Sequence, residues 1–131
     1  MKEKDFSKEI RKTARLFGCI YYPFHDDSKM NFRQDRAGHK KPFDGIFVTA
    51  NGNICLELKV GYNAPREHQA KAMESISQKN GYAFVLRAIE LKGGRKYRLD
   101  RVIREGLEYG KEVVLETRDI REVMEFIIDL S

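Results

Sequence analysis

The stretch Lys41-Pro42-Phe43-Asp44-Gly45-Ile46-Phe47-Val48-Thr49-Ala50-Asn51-Gly52-Asn53-Ile54-Cys55-Leu56-Glu57-Leu58-Lys59-Val60 decides the fold. Two apolar segments, 43–49 and 54–60, flank the tetrapeptide Ala50-Asn51-Gly52-Asn53. Asn-Gly is the preferred centre of a two-residue type I′ turn, so the stretch predicts a β-hairpin. With Asn51 and Gly52 in the turn, Asp44 is expected opposite Lys59, and Ile46 opposite Glu57. Side chains alternate between the faces of a strand. Asp44, Ile46 and Val48 are therefore expected on one face with Cys55, Glu57 and Lys59. Phe47, Thr49, Ile54, Leu56 and Leu58 fall on the other face, which suits a core.

This register gathers two carboxylates and an ammonium at the open end of the hairpin. Diagonal cross-strand neighbours lie roughly 7–8 Å apart, and Asp44 and Glu57 are expected as such a pair. Their carboxylates can converge on one cation. Mg²⁺ takes oxygen ligands at about 2.0–2.1 Å and leaves several positions to water and phosphate. The backbone carbonyl of Leu58 is a further candidate ligand. Lys59 can reach an attacking water or a phosphate oxygen. Without a cation the two acids repel, and Lys59 neutralises only one of them. The same residues also read as an ordinary half-exposed strand with a cross-strand ion pair, because Glu-x-Lys alone is a weak signal.

Upstream, Phe6, Ile10, Thr13, Ala14 and Phe17 recur at helical spacing, predicting an amphipathic helix ended by Gly18. Residues 19–22 predict a short strand that stops before Pro23. The polar stretch 24–42 follows. From Lys29 onward it holds Lys29, Arg33, Arg36, Lys40 and Lys41 against one acid, Asp35. Connections of this length are uncommon in compact domains and often functional, although a solvated loop reads the same way.

Downstream, Pro65 introduces a predicted helix over 66–80, closed by Gly81. Residues 82–89 form an apolar run that predicts a buried strand. Gly93-Gly94 predicts a turn and 96–99 a short strand. Asp100 is a plausible N-cap for a helix to Tyr109, closed by Gly110. Residues 112–116 read as a strand. Thr117 is expected to cap a last helix with the stripe Ile120, Val123, Met124, Ile127 and Leu130. Helices alternating with strands predict an α/β or mixed α+β sandwich.

The 131 residues suit one domain. Hydrophobic residues at 41% and charged residues at 34% exclude a disordered chain. No apolar run is long enough to cross a bilayer, and the charged segment 1–10 does not read as a secretory signal. The net charge of +5 permits an anionic partner without requiring one. Cys19 and Cys55 lack disulfide-framework or zinc spacing, so buried free thiols in a reducing, cytoplasmic setting are expected.

Lys41-Pro42-Phe43-Asp44-Gly45 and Glu57-Leu58-Lys59 resemble the two motifs of the PD-(D/E)XK nuclease superfamily. The chain is most similar to the RecU-type Holliday junction resolvases. Phe32-Arg33-Gln34 before the aspartate, His68-Gln69 opening the next helix with Met73 behind it, and Gly81-Tyr82-Ala83-Phe84-Val85 extend the likeness from about Phe6 to the last helix. The chain is shorter than typical resolvases of this type, and its segment 37–41 is more basic. The resemblance implies a restriction-endonuclease-like α/β fold, with a central mixed sheet flanked by helices. It implies Mg²⁺ or Mn²⁺ and hydrolysis of DNA phosphodiesters. Asp44 and Glu57 would be metal ligands and Lys59 the catalytic lysine. Glu9 would be the first-helix glutamate often found near the metal. Gln69, on an inner helical stripe, would either satisfy backbone or touch water or phosphate at the site. His68 is expected on the surface or in packing.

Arg33, Arg36, Lys40, Lys41 and Arg66 are the expected DNA contacts. Tyr21, Tyr22 and Phe32 can stack on bases or simply pack. The expected substrate is branched or junction DNA, and a junction with paired scissile sites suits a homodimer. A general repair-type nuclease and a non-catalytic DNA-binding module are the alternatives.

Overall fold

The computed structural model describes residues 1–24, 41–50, 52–79, 81–105 and 108–130. Its first helix, α1 (Glu3–Leu16), carries Glu3 and Asp5 in the first turn, where acids favour the helix dipole. Phe6, Ile10, Thr13 and Ala14 line its buried side. Gly18 at φ +73° turns the chain out of the helix, a conformation that costs glycine little. Strand β1 (Ile20–Pro23) starts one residue later than expected and includes Pro23. A proline is tolerated there because β1 is an edge strand.

The hairpin forms from β2 (Gly45–Thr49) and β3 (Gly52–Val60). Its register differs from the expected one. Thr49 pairs with Gly52, Ile46 with Cys55 and Gly45 with Leu56. The reversal is therefore centred one residue earlier than the Asn-Gly pair predicts. The slip moves each partner by two residues along β3, so every side chain keeps its expected face. Helix α2 (Glu67–Gln78) follows β3, and β4 (Ala83–Leu91) returns parallel to it.

Two long strands complete the sheet, β5 (Gly94–Glu105) and β6 (Glu108–Thr117). The helix expected from Asp100 to Tyr109 is instead the body of this hairpin. Leu99 is buried on one face and Asp100 and Val102 follow strand alternation. Asp100 is no helix cap, because its carboxylate is taken by Arg87 and Arg98. Gly110 closes no helix and pairs with Ile103. A bulge sets Leu99 opposite Leu115 but Asp100 opposite Val113. Helix α3 (Ile120–Leu130) ends the fold. Asp119 Oδ1, rather than Thr117, takes the Arg121 N–H in its first turn, while the Thr117 hydroxyl accepts the Asp119 N–H.

The six strands form one mixed sheet in sequence order, antiparallel except for the β3–β4 pair. It is an α/β domain with a central sheet and helices on both faces. One face packs Phe6 and Ile10 of α1 and Met124 and Ile127 of α3 against Phe47, Leu56, Leu86 and Leu99. The other packs Met73 of α2 against Ala83, Val85, Val102 and Phe43. Each fully buried aliphatic or phenyl side chain contributes roughly 1.5–3 kcal/mol, so both layers hold the sheet firmly. β4 is buried on both faces along most of its length, which accounts for its unbroken apolar run. Cys19 is buried but Cys55 is only half-buried; both are free, and burial pushes both thiols up. Among the described residues no helix is long and apolar enough to cross a membrane.

Candidate active site

The site forms where β2 stops and β3 continues. The last β3 residue paired with β2 is Leu56, opposite Gly45. Beyond it, Glu57 to Val60 keep their β4 partners but face an open edge on the β2 side. The chain bends through Pro42, Phe43 and Asp44 to fill that edge. Phe43 anchors the bend in the apolar layer beneath α2 and meets Phe24 at 5.4 Å between ring centroids. The Asp44 carbonyl accepts the Phe24 N–H at 2.6 Å. Gly45 is needed next, because a Cβ there would lie 2.4 Å from the Tyr22 carbonyl oxygen and 2.8 Å from the Tyr21 ring.

Asp44 thus lies just outside the strand in which it was expected. Its Oδ2 accepts the Leu58 N–H at 2.6 Å, and its Oδ1 meets Lys41 Nζ at 2.8 Å. The N–H and C=O of one strand residue point to the same side. The Leu58 carbonyl therefore faces the same open edge, as its candidacy as an oxygen ligand requires. Glu57 is 1% exposed, and Lys59 Nζ meets its Oε2 at 3.0 Å. Glu57 Oε1 is buried and, among the described residues, accepts no hydrogen bond. Burial first, and then the adjacent Asp44 carboxyl, push this carboxyl up to about 7 against the opposing pull of Lys59. The Tyr21 hydroxyl is also buried and, among the described residues, unpartnered; burial raises its pKa, and the Asp44 and Glu57 charges add to that.

An orphaned carboxylate oxygen costs free energy unless a donor or cation meets it. Asp44, Glu57 Oε1 and the Leu58 carbonyl are hard oxygens at one edge, so they fit Mg²⁺ or Mn²⁺. Among the described residues no group of three or more His, Cys, Asp or Glu side chains assembles as a metal site. Mg²⁺ does not need one, since it is commonly held by one or two carboxylates plus water and phosphate.

A cleft of about 290 Å³ opens over Asp44, Glu57 and Lys59, with Lys41 at its rim. Arg66, His68 and Gln69 line it from the start of α2, and Glu3 from α1. A second hollow of about 430 Å³ shares Glu3, Lys41 and Asp44 and continues along Lys4, Lys8 and Arg11. The structure thus brings Asp44, Glu57, Leu58, Lys59, Lys41, Arg66 and Gln69 to one place. Gln69 Oε1 accepts the Arg66 N–H at 3.0 Å, so its carbonyl end satisfies backbone and its amide donors remain for the cleft. Arg33, Arg36, Lys40 and Phe32 lie outside the described residues.

Glu9 is not brought to the site. The Tyr97 hydroxyl donates to it, and Arg95 Nη1 lies 3.1 Å from its Oε2. The α1 glutamate near the trio is Glu3, 3.9 Å from Lys59 Nζ. The apolar spacing that predicts the first helix begins at Phe6 and carries no sign of Glu3. His68 lies off the apolar stripe of α2 and was expected on the surface or in packing, yet it lines the cleft beside Gln69. A third omission is the exposed basic row Lys4, Lys8, Arg11, Lys12 and Arg15 on α1. Its spacing of three to four residues was the available signal. Comparison with protein-family profiles, with curated proteins and with solved structures found no match in any of the three.

Proposed function

We propose that this protein is a metal-dependent DNA endonuclease of the PD-(D/E)XK type, with a restriction-endonuclease-like arrangement of its sheet and helices. The observation that carries the reading is the buried Glu57 Oε1, unpartnered among the described residues, beside Asp44 at an open strand edge. A bound Mg²⁺ or Mn²⁺ would supply Lewis-acid charge at the scissile phosphate. Asp44, Glu57 and the Leu58 carbonyl would hold it. Lys59, already 3.0 Å from Glu57, donates to the attacking water or to a phosphate oxygen. Lys41 and Arg66 bind the flanking phosphates, and the Gln69 amide donors orient water or phosphate at the reacting centre.

Branched DNA cut by a homodimer is the preferred substrate in this reading, because a junction offers two equivalent scissile sites. A repair-type nuclease on other DNA would use the same residues. The exposed basic row on α1 also favours binding without catalysis as a second reading. One assay separates them. Labelled four-way junction, flap, duplex and single strand are incubated with and without Mg²⁺ or Mn²⁺. Junction cleavage that requires the metal and falls at least a hundredfold in Asp44→Asn and Lys59→Ala is expected. Binding with no cleavage under any condition would leave the non-catalytic reading. Full cleavage by both variants would end the assignment of the site.

A further inference from the structure

Between Lys59 and Arg66, both on the cleft, runs a short loop that carries Tyr62. This loop is held from below by a buried charge cluster. Arg87 is 1% exposed, and its Nη1 donates to the Gly61 carbonyl at 3.2 Å and to the Asn63 carbonyl at 2.5 Å. Its Nε meets Asp100 Oδ2 at 3.0 Å. Arg98 binds both Asp100 oxygens, at 2.8 and 2.9 Å. The Gly61 N–H continues the sheet to the Ala88 carbonyl at 2.8 Å, and Gly61 itself turns the chain at φ +88°. The carbonyls on either side of Tyr62 are therefore both fixed by one guanidinium.

Tyr62 is 59% exposed, and the Arg98 guanidinium lies over its ring, 5.4 Å from the centroid. A cation thus backs the ring, while more than half of the residue's surface is open to solvent. An exposed aromatic ring offers a flat face on which a nucleobase can stack. We propose that Tyr62 is a stacking platform for an unpaired nucleobase of the DNA substrate, two or three nucleotides from the scissile phosphate. This deepens the nuclease reading and rests on it for the identity of the ligand.

The geometry supports this in three ways. Three residues of chain span at most about 10–11 Å, so Tyr62 lies within that reach of Lys59. Nucleotides rise about 3.4 Å along a strand, which gives the stated offset. The loop is already ordered by Arg87, so little conformational freedom is lost when a base lands on it. Bases inside a duplex are covered by their neighbours, whereas bases at branch points, flaps and single strands present open faces. The platform would therefore favour DNA that is unpaired next to the cut.

The test uses the full chain in EDTA, so that binding is read without cleavage. The probes are a 12-nucleotide single strand carrying 2-aminopurine and the same strand fully paired. Tyr62→Ala is expected to weaken single-strand binding about tenfold and to abolish quenching of the 2-aminopurine. Duplex binding should change less than twofold, and Tyr62→Phe and Tyr62→Trp should bind like the parent. A melting curve controls for folding. Equal loss on both probes, no loss on either, or a Tyr62→Phe variant as weak as Tyr62→Ala would overturn the stacking role. Metal-dependent cleavage with a silent Tyr62→Ala leaves the nuclease and removes the platform. Tyr62-dependent stacking in a protein that cleaves nothing does the reverse. A parent protein that binds neither probe ends the platform and leaves the nuclease reading to the junction-cleavage assay.

Discussion

Lys59 neutralises one oxygen of the Glu57 carboxylate, and the other is buried with no partner among the described residues. Its pKa near 7 in the folded protein lies above the ordinary value of 4.5. Between those values the folded state holds a proton that the unfolded state has released. Stability of the metal-free protein should therefore fall as pH rises from about 4.5 through 7, and then level off. The loss amounts to up to about 3 kcal/mol, taking 1.4 kcal/mol per tenfold shift in proton affinity. Glu57→Gln carries no such charge. In EDTA, urea midpoints of the parent should drop between pH 5 and pH 8, while those of Glu57→Gln stay nearly flat. The variant should also lose metal-dependent cleavage. Parallel pH profiles for the two proteins would show that the Glu57 charge is already compensated. Adding Mn²⁺ at a hundredfold excess over its dissociation constant should stabilise the parent by about 2.7 kcal/mol and leave Glu57→Gln unmoved. At this scale the sequence was informative because side-chain parity survives a two-residue slip. Glu57 and Lys59 share a face despite the shifted register, and Asp44 reaches them from the bend before β2. Glu9 failed as the helix glutamate for a different reason. Its partners, Arg95 and Tyr97, are distant in sequence, and nothing local announces them.

The β5 strand carries the largest difference between the sequence reading and the fold, and the reason is electrostatic. Asp100 has the form of a helix N-cap, a short acid ahead of a charged run. In the fold it is fully buried between Arg87 of β4 and Arg98 of its own strand. The strand assignment depends on Arg87, thirteen positions earlier in the chain, and a local reading has no access to that pairing. By contrast α1, α2, β4 and α3 were legible because their apolar periodicity is local and their ends carry Gly18, Gly81 or a polar cap. The buried cluster makes an element-scale prediction. Asp100→Asn removes the carboxylate that pairs with two guanidiniums, one of them 1% exposed. Removing one partner of a buried pair typically costs about 3–5 kcal/mol. Urea denaturation should report a loss of that size. Because Arg87 also holds Gly61 and Asn63, the same variant should loosen the loop ahead of α2, raising hydrogen exchange over residues 61–66. A loss below about 1 kcal/mol would mean the cluster is solvated in solution.

Across the whole molecule, one helix joins charge to the cleft. The row Lys4, Lys8, Arg11, Lys12 and Arg15 is exposed along α1, and its first members border the hollow that contains Asp44. Fourteen residues at 1.5 Å each make α1 about 20 Å long, close to six nucleotide steps of a strand. A backbone entering the cleft can thus lie along α1 while its scissile phosphate rests at Asp44 and Glu57. Contacts of this kind read charge and not sequence. They also release counterions, so the logarithm of affinity falls against the logarithm of salt with a slope of roughly −0.9 per phosphate contact on duplex DNA. Replacing Lys8, Arg11 and Arg15 together by Gln should make that slope shallower by about 2–3. Affinity should weaken for every DNA tested, and the turnover of bound substrate should stay near that of the parent. Anisotropy titrations from 50 to 300 mM salt, paired with single-turnover cleavage at saturating protein, read both quantities. Since none of the three residues touches Glu57 or Lys59 in the fold, a variant with an unchanged slope but slowed turnover would place the DNA track elsewhere on the surface.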